Sequence, residues 1–317
     1  MTEARVLVTG AAGKTGRAVI SALRHSGVPT RALVHRPGQV RVARSHGAGE
    51  VVVGDMRDRA VLKEAADGAS AVYHIAPNMS PDEVEIGETL ISAARAAGVW
   101  RVVYHSVLRP QAEAMPHHRA KLRVEEALFR SGLGVTVLQP GPYMQNLLQQ
   151  VAAVRDTGRL AVPYSIDVRF GMVDLWDVAA VAVRCVTEPG PARRGTAAAG
   201  GLAAVEDRGG DDDHSFAVYE LVGPANVSVR HAAGALTEAL DRPVRPVAVP
   251  LDDWRRDVRA AGLAEHMVDG LSAMFDYYDV YGLPGNGRTL RGLLRRPGTA
   301  LRECVRREVR DLDPVLR

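Results

Sequence analysis

The stretch VLVTGAAGKTGRAVI, residues 6–20, limits the possible folds of this chain more than any other segment. An aliphatic, β-branched run ends at Thr9, glycines follow at Gly10, Gly13 and Gly16, and a helical pattern of apolar residues starts at once. Each glycine answers a steric demand. The first permits a tight turn out of a strand, the second lets backbone N–H groups approach an anion, and the third lets the helix pack closely on the sheet. The helix N-terminus then offers its positive end to phosphate. Placed between the first strand and the first helix, this G-x-x-G-x-x-G has the context of a dinucleotide fingerprint. Gly10, Ala12, Gly13, Lys14, Thr15 and Gly16 are therefore expected against a pyrophosphate. The alternative is a glycine-rich turn without a ligand.

The rest of the first half repeats the same alternation. Val6–Thr9, Arg31–His35, Glu50–Val53, Ala71–Ile75, Arg101–His105 and Val135–Gln139 read as strands, with helices beginning near Lys14, Gln39, Asp58, Pro81, His118 and Tyr143. Val-rich strands without clean polar alternation suit a sheet buried on both faces. The expected fold is α/β, a doubly wound parallel Rossmann sheet followed by a smaller C-terminal α+β lobe. Residues 1–224 form the core in this reading, 190–214 a flexible Gly- and Ala-rich loop within it, and 225–317 a substrate-binding lobe. A strand-like run from Val168 to Leu175 leads into a helix near Asp177–Thr187, and a further strand-like run spans Phe216–Val222.

Composition excludes several classes. With 46% hydrophobic and 24% charged residues in 317, the chain is neither disordered nor a disulfide scaffold. The absence of a bilayer-length apolar run and of a visible secretory signal gives a cytoplasmic expectation without a membrane partner. Cys185 and Cys304 show no metal or redox spacing and read as structural thiols. A net charge of +3 is too small for a nucleic-acid footprint, so Arg295, Arg296, Arg306 and Arg307 read as a solvated helix face. Asp211–Asp213 followed by His214 read as part of the solvated loop, and no metal is expected. Among 40 basic residues only Lys14, Lys63 and Lys121 are lysines, so the places that keep a compact ammonium stand out.

The second strand decides the cofactor. An acid about twenty residues past the glycines would bind the ribose of NAD, whereas an arginine accommodates the 2′-phosphate of NADP. Here the strand ends Leu33-Val34-His35-Arg36, which favours NADP(H) over NAD(H). Asp55, followed by Met56, is placed for the adenine amino group, with a helix N-cap as its alternative role. Ile75, Ala76 and Pro77 are expected beside the nicotinamide ribose.

Together these segments, with VVYHSV, HHRAKLRVEEALFRSGLGVTVLQPGPYMQN, FGMVDLWDVA and YELVGPANVSVRHAAGALTEAL, resemble the NmrA-like branch of the atypical short-chain dehydrogenases. That branch includes quinone reductases, azoreductase-type and isoflavone-reductase-like proteins, and non-catalytic redox sensors. The resemblance implies that Lys121 lies beside the nicotinamide, as a ribose ligand or an acid/base, and burial together with a nearby cation would tune such an ammonium for acid/base work. The broader superfamily's Tyr-x-x-x-Lys is broken, because His117 stands four residues before Lys121. His117 is thus either a proton donor or the start of a helix. Ser106 matches a position that often places a hydroxyl near the substrate oxygen, with a local turn bond as its alternative. Pro140 and Gly141 are expected along the nicotinamide, and Tyr143, a second candidate donor, faces the cavity with Asn146. Tyr277, Tyr278 and Tyr281, clustered with Met274 and Phe275, either line a pocket for a planar substrate or form the lobe's core.

The resemblance implies an NADPH-dependent reductase of a quinone, enone or ketone of aromatic character, a monomer or homodimer acting in natural-product tailoring or detoxification. Its rival is a non-catalytic NADP(H)-binding sensor that works through a protein partner.

Overall fold

The computed structural model describes residues 5–188 and 214–312. In the first half β1 (Arg5–Val8), α1 (Lys14–His25), β2 (Thr30–Val34), α2 (Val40–His46), β3 (Glu50–Val53) and α3 (Arg59–Ala66) alternate. The alternation continues through β4 (Ala69–His74), α4 (Glu83–Ala96), β5 (Arg101–His105), α5 (Pro116–Phe129) and β6 (Gly134–Pro140). Next come α6 (Met144–Leu148), α7 (Val151–Thr157), β7 (Arg159–Val162), α8 (Leu175–Thr187) and β8 (Ala217–Leu221). The chain continues with α9 (Val229–Leu240), β9 (Arg245–Ala248), α10 (Leu251–Ala260), α11 (Glu265–Tyr281), α12 (Arg288–Leu294) and α13 (Leu301–Leu312).

The strands from β1 to β6 form a doubly wound parallel sheet that β8 completes, in the order β3-β2-β1-β4-β5-β6-β8. Strand order reverses between β1 and β4, which opens the crevice where such sheets bind ligands. Because side chains alternate across a strand, one face of the sheet carries Leu7, Leu33, Val72, Val102, Tyr104 and Val135 against α3, α4 and α5. Burial on both faces explains the near-continuous apolar strands.

The chain divides into two compact units of interleaved sequence. The first comprises segments up to Ser106, Ala120–Leu138 and Ala179–Tyr219, and the second Val107–Arg119, Gln139–Val178 and the residues from Glu220 onward. The second unit thus begins well before the single boundary drawn at 224 from the sequence. Leu108, Met115, Met144 and Leu147, which follow β5 and β6, bury themselves in one core with Val222, Leu236 and Val305. That unit has its own parallel ribbon, in which β7 pairs with β9.

The run Val168–Leu175 is not a strand. It makes only isolated bridges, Phe170 with Val227 and Leu283, and Val173 with Tyr143. Residues 190–213 of the expected flexible loop, with Asp211–Asp213, lie outside the described residues. His214, assigned to that loop, is instead buried. Its ring meets Glu188 at 2.6 Å and the Tyr219 hydroxyl at 2.9 Å, and its carbonyl accepts from Thr136 at 2.7 Å. Arg101, fully buried in β5, donates to the carbonyl oxygens of Cys185 at 2.8 Å and Glu188 at 3.4 Å. A cation there satisfies acceptors at the negative end of α8.

The C-terminal arginines are not simply a solvated face. Asp174 and Asp177, at the start of α8, are buried in the second unit. Arg307 grips Asp174 at 2.7 and 3.1 Å, and Arg296 reaches Asp177 at 2.6 Å. Gln145 and the Trp176 N–H complete the shell of Asp174 at 2.8 and 3.1 Å. Removing one partner of a buried ion pair strands the other charge, so Arg307→Leu is expected to cost roughly 3 kcal/mol of stability in urea unfolding. Adding Asp174→Asn to that variant restores part of the loss, whereas additive losses would refute the coupling.

Candidate active site

The glycine loop has the shape its sequence requires. Gly10 is left-handed, with φ +57, and a Cβ there would stand 2.9 Å from the Ile75 carbonyl oxygen. A Cβ on Gly16 would lie 2.5 Å from the Gly10 carbonyl oxygen and 2.7 Å from Ala11 Cα, against backbone that cannot rotate away. Gly13 is the N-cap of α1 and donates its N–H to the Gly10 carbonyl at 3.0 Å. Being glycine, it caps the helix with no side chain, and the first turn contains no acid. A cradle that any Cβ would fill, at the positive end of a helix dipole, fits a dinucleotide pyrophosphate. Ala12, Lys14 and Thr15 complete the turn into α1.

Residues expected around the rest of a dinucleotide lie at the carboxyl ends of β2, β3 and β4 in the same unit. His35 and Arg36 are exposed after β2, and both backbone N–H groups donate to Gln39 Oε1 at 3.0 Å. Asp55 follows β3 and sits in the fork of Arg57, 2.6 Å away, with the Arg57 N–H at 2.9 Å. Those hydrogen bonds hold its carboxyl down to about 2. Its alternative role belongs to a neighbour, because the N-cap of α3 is Asp58, which accepts from the Ala60 N–H at 2.8 Å. Met56 packs on the core. After β4, Ile75 abuts Gly10, Ala76 is buried and Pro77 is exposed.

A hydroxyl locks the switch point. Thr9 is fully buried, donates to the Ile75 carbonyl at 3.0 Å and accepts from the Ile75 N–H at 2.8 Å. Its oxygen also meets His74 Nδ1 at 2.9 Å. With the threonine proton on Ile75, Nδ1 is the donor, which leaves His74 Nε2 as a buried atom without a hydrogen-bond partner.

His74 leads to Lys121. Its ring stacks on Tyr104 of the neighbouring strand at 5.7 Å, and the Lys121 ammonium lies 5.3 Å from the centre of the same Tyr104 ring. Lys121 Nζ donates to Glu83 Oε1 at 2.8 Å and to the His105 carbonyl at 3.3 Å. The Tyr104 hydroxyl donates to that same Glu83 oxygen at 2.8 Å. The charge facing Lys121 is therefore a carboxylate, where the sequence led to an expectation of burial and a nearby cation. Burial and then the charge of Lys121 push His74 down to about 3, and the same causes act on His105, whose Nδ1 meets the Tyr73 hydroxyl at 2.7 Å. Burial first, and then Glu83, drives the Tyr104 phenol well above its usual range.

Ser106 is buried and gives its proton to Glu125 in a short hydrogen bond. In this arrangement it serves a carboxylate rather than a substrate oxygen. In the second unit, His117 lies in the first turn of α5, edge-on to His118 at 4.4 Å. Gly141, after Pro140, lies where a Cβ would meet the Gly171 carbonyl at 2.0 Å. Tyr143 is half-buried as the N-cap of α6, and Asn146 is exposed. The tyrosine cluster divides: Tyr278 is core, edge-on to Phe170 at 5.0 Å, while Tyr281 is 66% exposed. Phe275 packs on Trp254 and Tyr164. No cluster suited to a metal occurs among the described residues.

Glu83, Tyr104, His74 and Thr9 were missed in the sequence reading. A faint signal existed: Tyr104 is a polar-ended residue within an apolar strand, Ser106 follows that strand, and His74 ends another. Because His74 and His105 stay neutral when folded but bind protons near pH 6.5 when unfolded, the unfolded state holds more protons between about 3 and 6.5. Stability is therefore full above pH 6.5 and falls as the pH drops through that window. Urea midpoints at stepped pH values check this, and His74→Asn is expected to flatten the slope.

A family model, the NmrA-like family, matches residues 2–199. The chain is 29% identical to an NAD(P)H azoreductase of Xenophilus azovorans over 85% of this chain and 86% of that protein. It is 33% identical to a (4-alkanoyl-5-oxo-2,5-dihydrofuran-3-yl)methyl phosphate reductase of Streptomyces griseus, over 80% of each. The fold superposes on an NADPH-dependent quinone oxidoreductase of Escherichia coli solved with NADPH, with a TM-score of 0.76, 25% identity, and 95% and 98% coverage. The match spans more than half the chain, and the glycine cradle lies within it: the protein belongs to the NmrA-like family.

Proposed function

We propose that this protein is an NAD(P)H-dependent oxidoreductase that reduces a quinone, enone or ketone of aromatic character, with NADP(H) preferred. The observation that carries the reading is an unbroken chain of contacts within one unit. It starts at the glycine cradle and passes through Thr9, His74 and Tyr104 to the partly buried ammonium of Lys121. Pyrophosphate recognition and a fixed cation are thereby coupled through rigid strand ends. The substrate class draws support from the relatives' names, since azo, quinone and oxo-dihydrofuran groups are all conjugated and electron-poor.

When bound, the reduced nicotinamide supplies a hydride. Gly10, Gly13 and Gly16 let backbone N–H groups approach the pyrophosphate, and Arg36 with His35 offers donors to a 2′-phosphate. Lys121 Nζ, already oriented by Glu83, donates its remaining N–H to a ribose hydroxyl and supports negative charge that develops nearby. Ser106 does not supply the proton for the reduced oxygen in this reading, because Glu125 holds it. No helix among the described residues is long and apolar enough to cross a membrane.

Purified protein mixed with NADPH and a panel of quinones, enones and aromatic ketones tests the reading by cofactor consumption. Tight NADPH binding with no accelerated consumption would replace the enzyme by a sensor. Arg36→Asp is expected to weaken NADPH by about tenfold or more while sparing NADH, and equal losses would remove the NADP preference. Lys121→Ala is expected to lower kcat/KM by roughly a hundredfold or more, and an unchanged rate would remove its role.

A further inference from the structure

We propose that Glu83 is the positioning residue of this site: its buried carboxylate fixes the Lys121 ammonium where it holds the ribose next to the nicotinamide, with Tyr104 and Gly87 supporting that arrangement. The inference rests on Lys121 being the ribose ligand, and it names what sets the lysine's position.

Glu83 opens α4, where an acid has an ordinary use in complementing the helix dipole. Glu85, exposed in the same turn, performs that service without burial. Glu83 is 2% exposed, and burying a carboxylate costs several kcal/mol unless a partner offsets it. The partners converge on one atom. Oε1 receives the Lys121 ammonium and the Tyr104 hydroxyl, each at 2.8 Å.

Lysine has a flexible four-carbon stem, so a free ammonium samples many positions. Here it is held by Glu83, by the His105 carbonyl and over the Tyr104 ring. The helices supply the remaining constraint. Gly87 lies one turn after Glu83 on α4, and a Cβ there would stand 2.8 Å from a Val124 methyl on α5, three residues after Lys121. A glycine at the crossing thus lets α4 and α5 approach closely enough for the two side chains to meet. The arrangement restricts the lysine before any ligand arrives, and preorganisation of this kind raises affinity by removing an ordering cost.

The test is calorimetric titration of NADPH and of adenosine 2′,5′-bisphosphate, which lacks the nicotinamide half, into the intact chain and its variants. Glu83→Gln keeps the volume and an acceptor for Tyr104 but removes the charge. It is expected to weaken NADPH by about tenfold while the fragment binds within about twofold of the unaltered chain. Gly87→Ala, which keeps every charge but crowds Val124, is expected to give the same pattern more weakly. Because Glu83 acts through the lysine, Lys121→Met with Glu83→Gln is expected to bind NADPH no more weakly than Lys121→Met alone. Unchanged NADPH affinity in Glu83→Gln, equal loss of NADPH and fragment, or additive losses in the double variant would each overturn the proposal. If the unaltered chain binds no NADPH, the cofactor reading fails with it, a result distinct from Glu83→Gln matching an unaltered chain that does bind.

Discussion

Helix α1 touches the loop before it at a distance that only glycine allows, and the geometry of the crevice follows from this contact between backbones. If Gly16 carried a Cβ, it would meet the Gly10 carbonyl, and the helix would have to withdraw from the strand ends. Its N-terminal dipole would move with it. Gly10 in turn lies against Ile75, and Ile75 is held by two of the hydrogen bonds of the Thr9 hydroxyl, so one steric relation propagates from β1 to β4. No side-chain flexibility absorbs a change at these positions, which makes the crevice a rigid platform.

Electrostatics divides the labour between arginine and lysine. Guanidinium forks do structural work in each unit: Arg101 gathers the last carbonyls of α8, and Arg307 spans both oxygens of Asp174. Each is planar, multiply bonded and difficult to redeploy. Lys121 is different, because its ammonium is a point donor with three N–H groups, two of which are taken by Glu83 and the His105 carbonyl. Surrounding it with the neutral rings of His74 and Tyr104 keeps further charge away. A second cation in so dry a place would cost several kcal/mol, more than an extra hydrogen bond returns.

The glycine loop, the order of elements up to β6 and the helix that carries Lys121 were legible in the sequence because each rests on local rules, namely spacing, period and chain order. The Glu83 contact was not legible, since an acid in the first turn of a helix has the same appearance whether it faces water or turns inward to a lysine. Arg296 and Arg307 were misread for a related reason: their partners at Asp177 and Asp174 lie more than a hundred residues away in sequence. Beyond residue 155 the signal weakened because β7 and β9 are short and the Val168–Leu175 run pairs only at isolated bridges. Tyr278 shows the converse problem, in which an aromatic cluster gives no sign of which rings turn inward.

The pair between Glu188 and His214 has a consequence for how this chain tolerates change. These residues bracket 189–213, and they are joined at 2.6 Å while Arg101 grips the Glu188 carbonyl and Thr136 grips that of His214. Glu188 and His214 are therefore held side by side by side-chain and main-chain contacts at once, and the loss of Arg101, Thr136 or either partner would leave a polar atom of another without its bond.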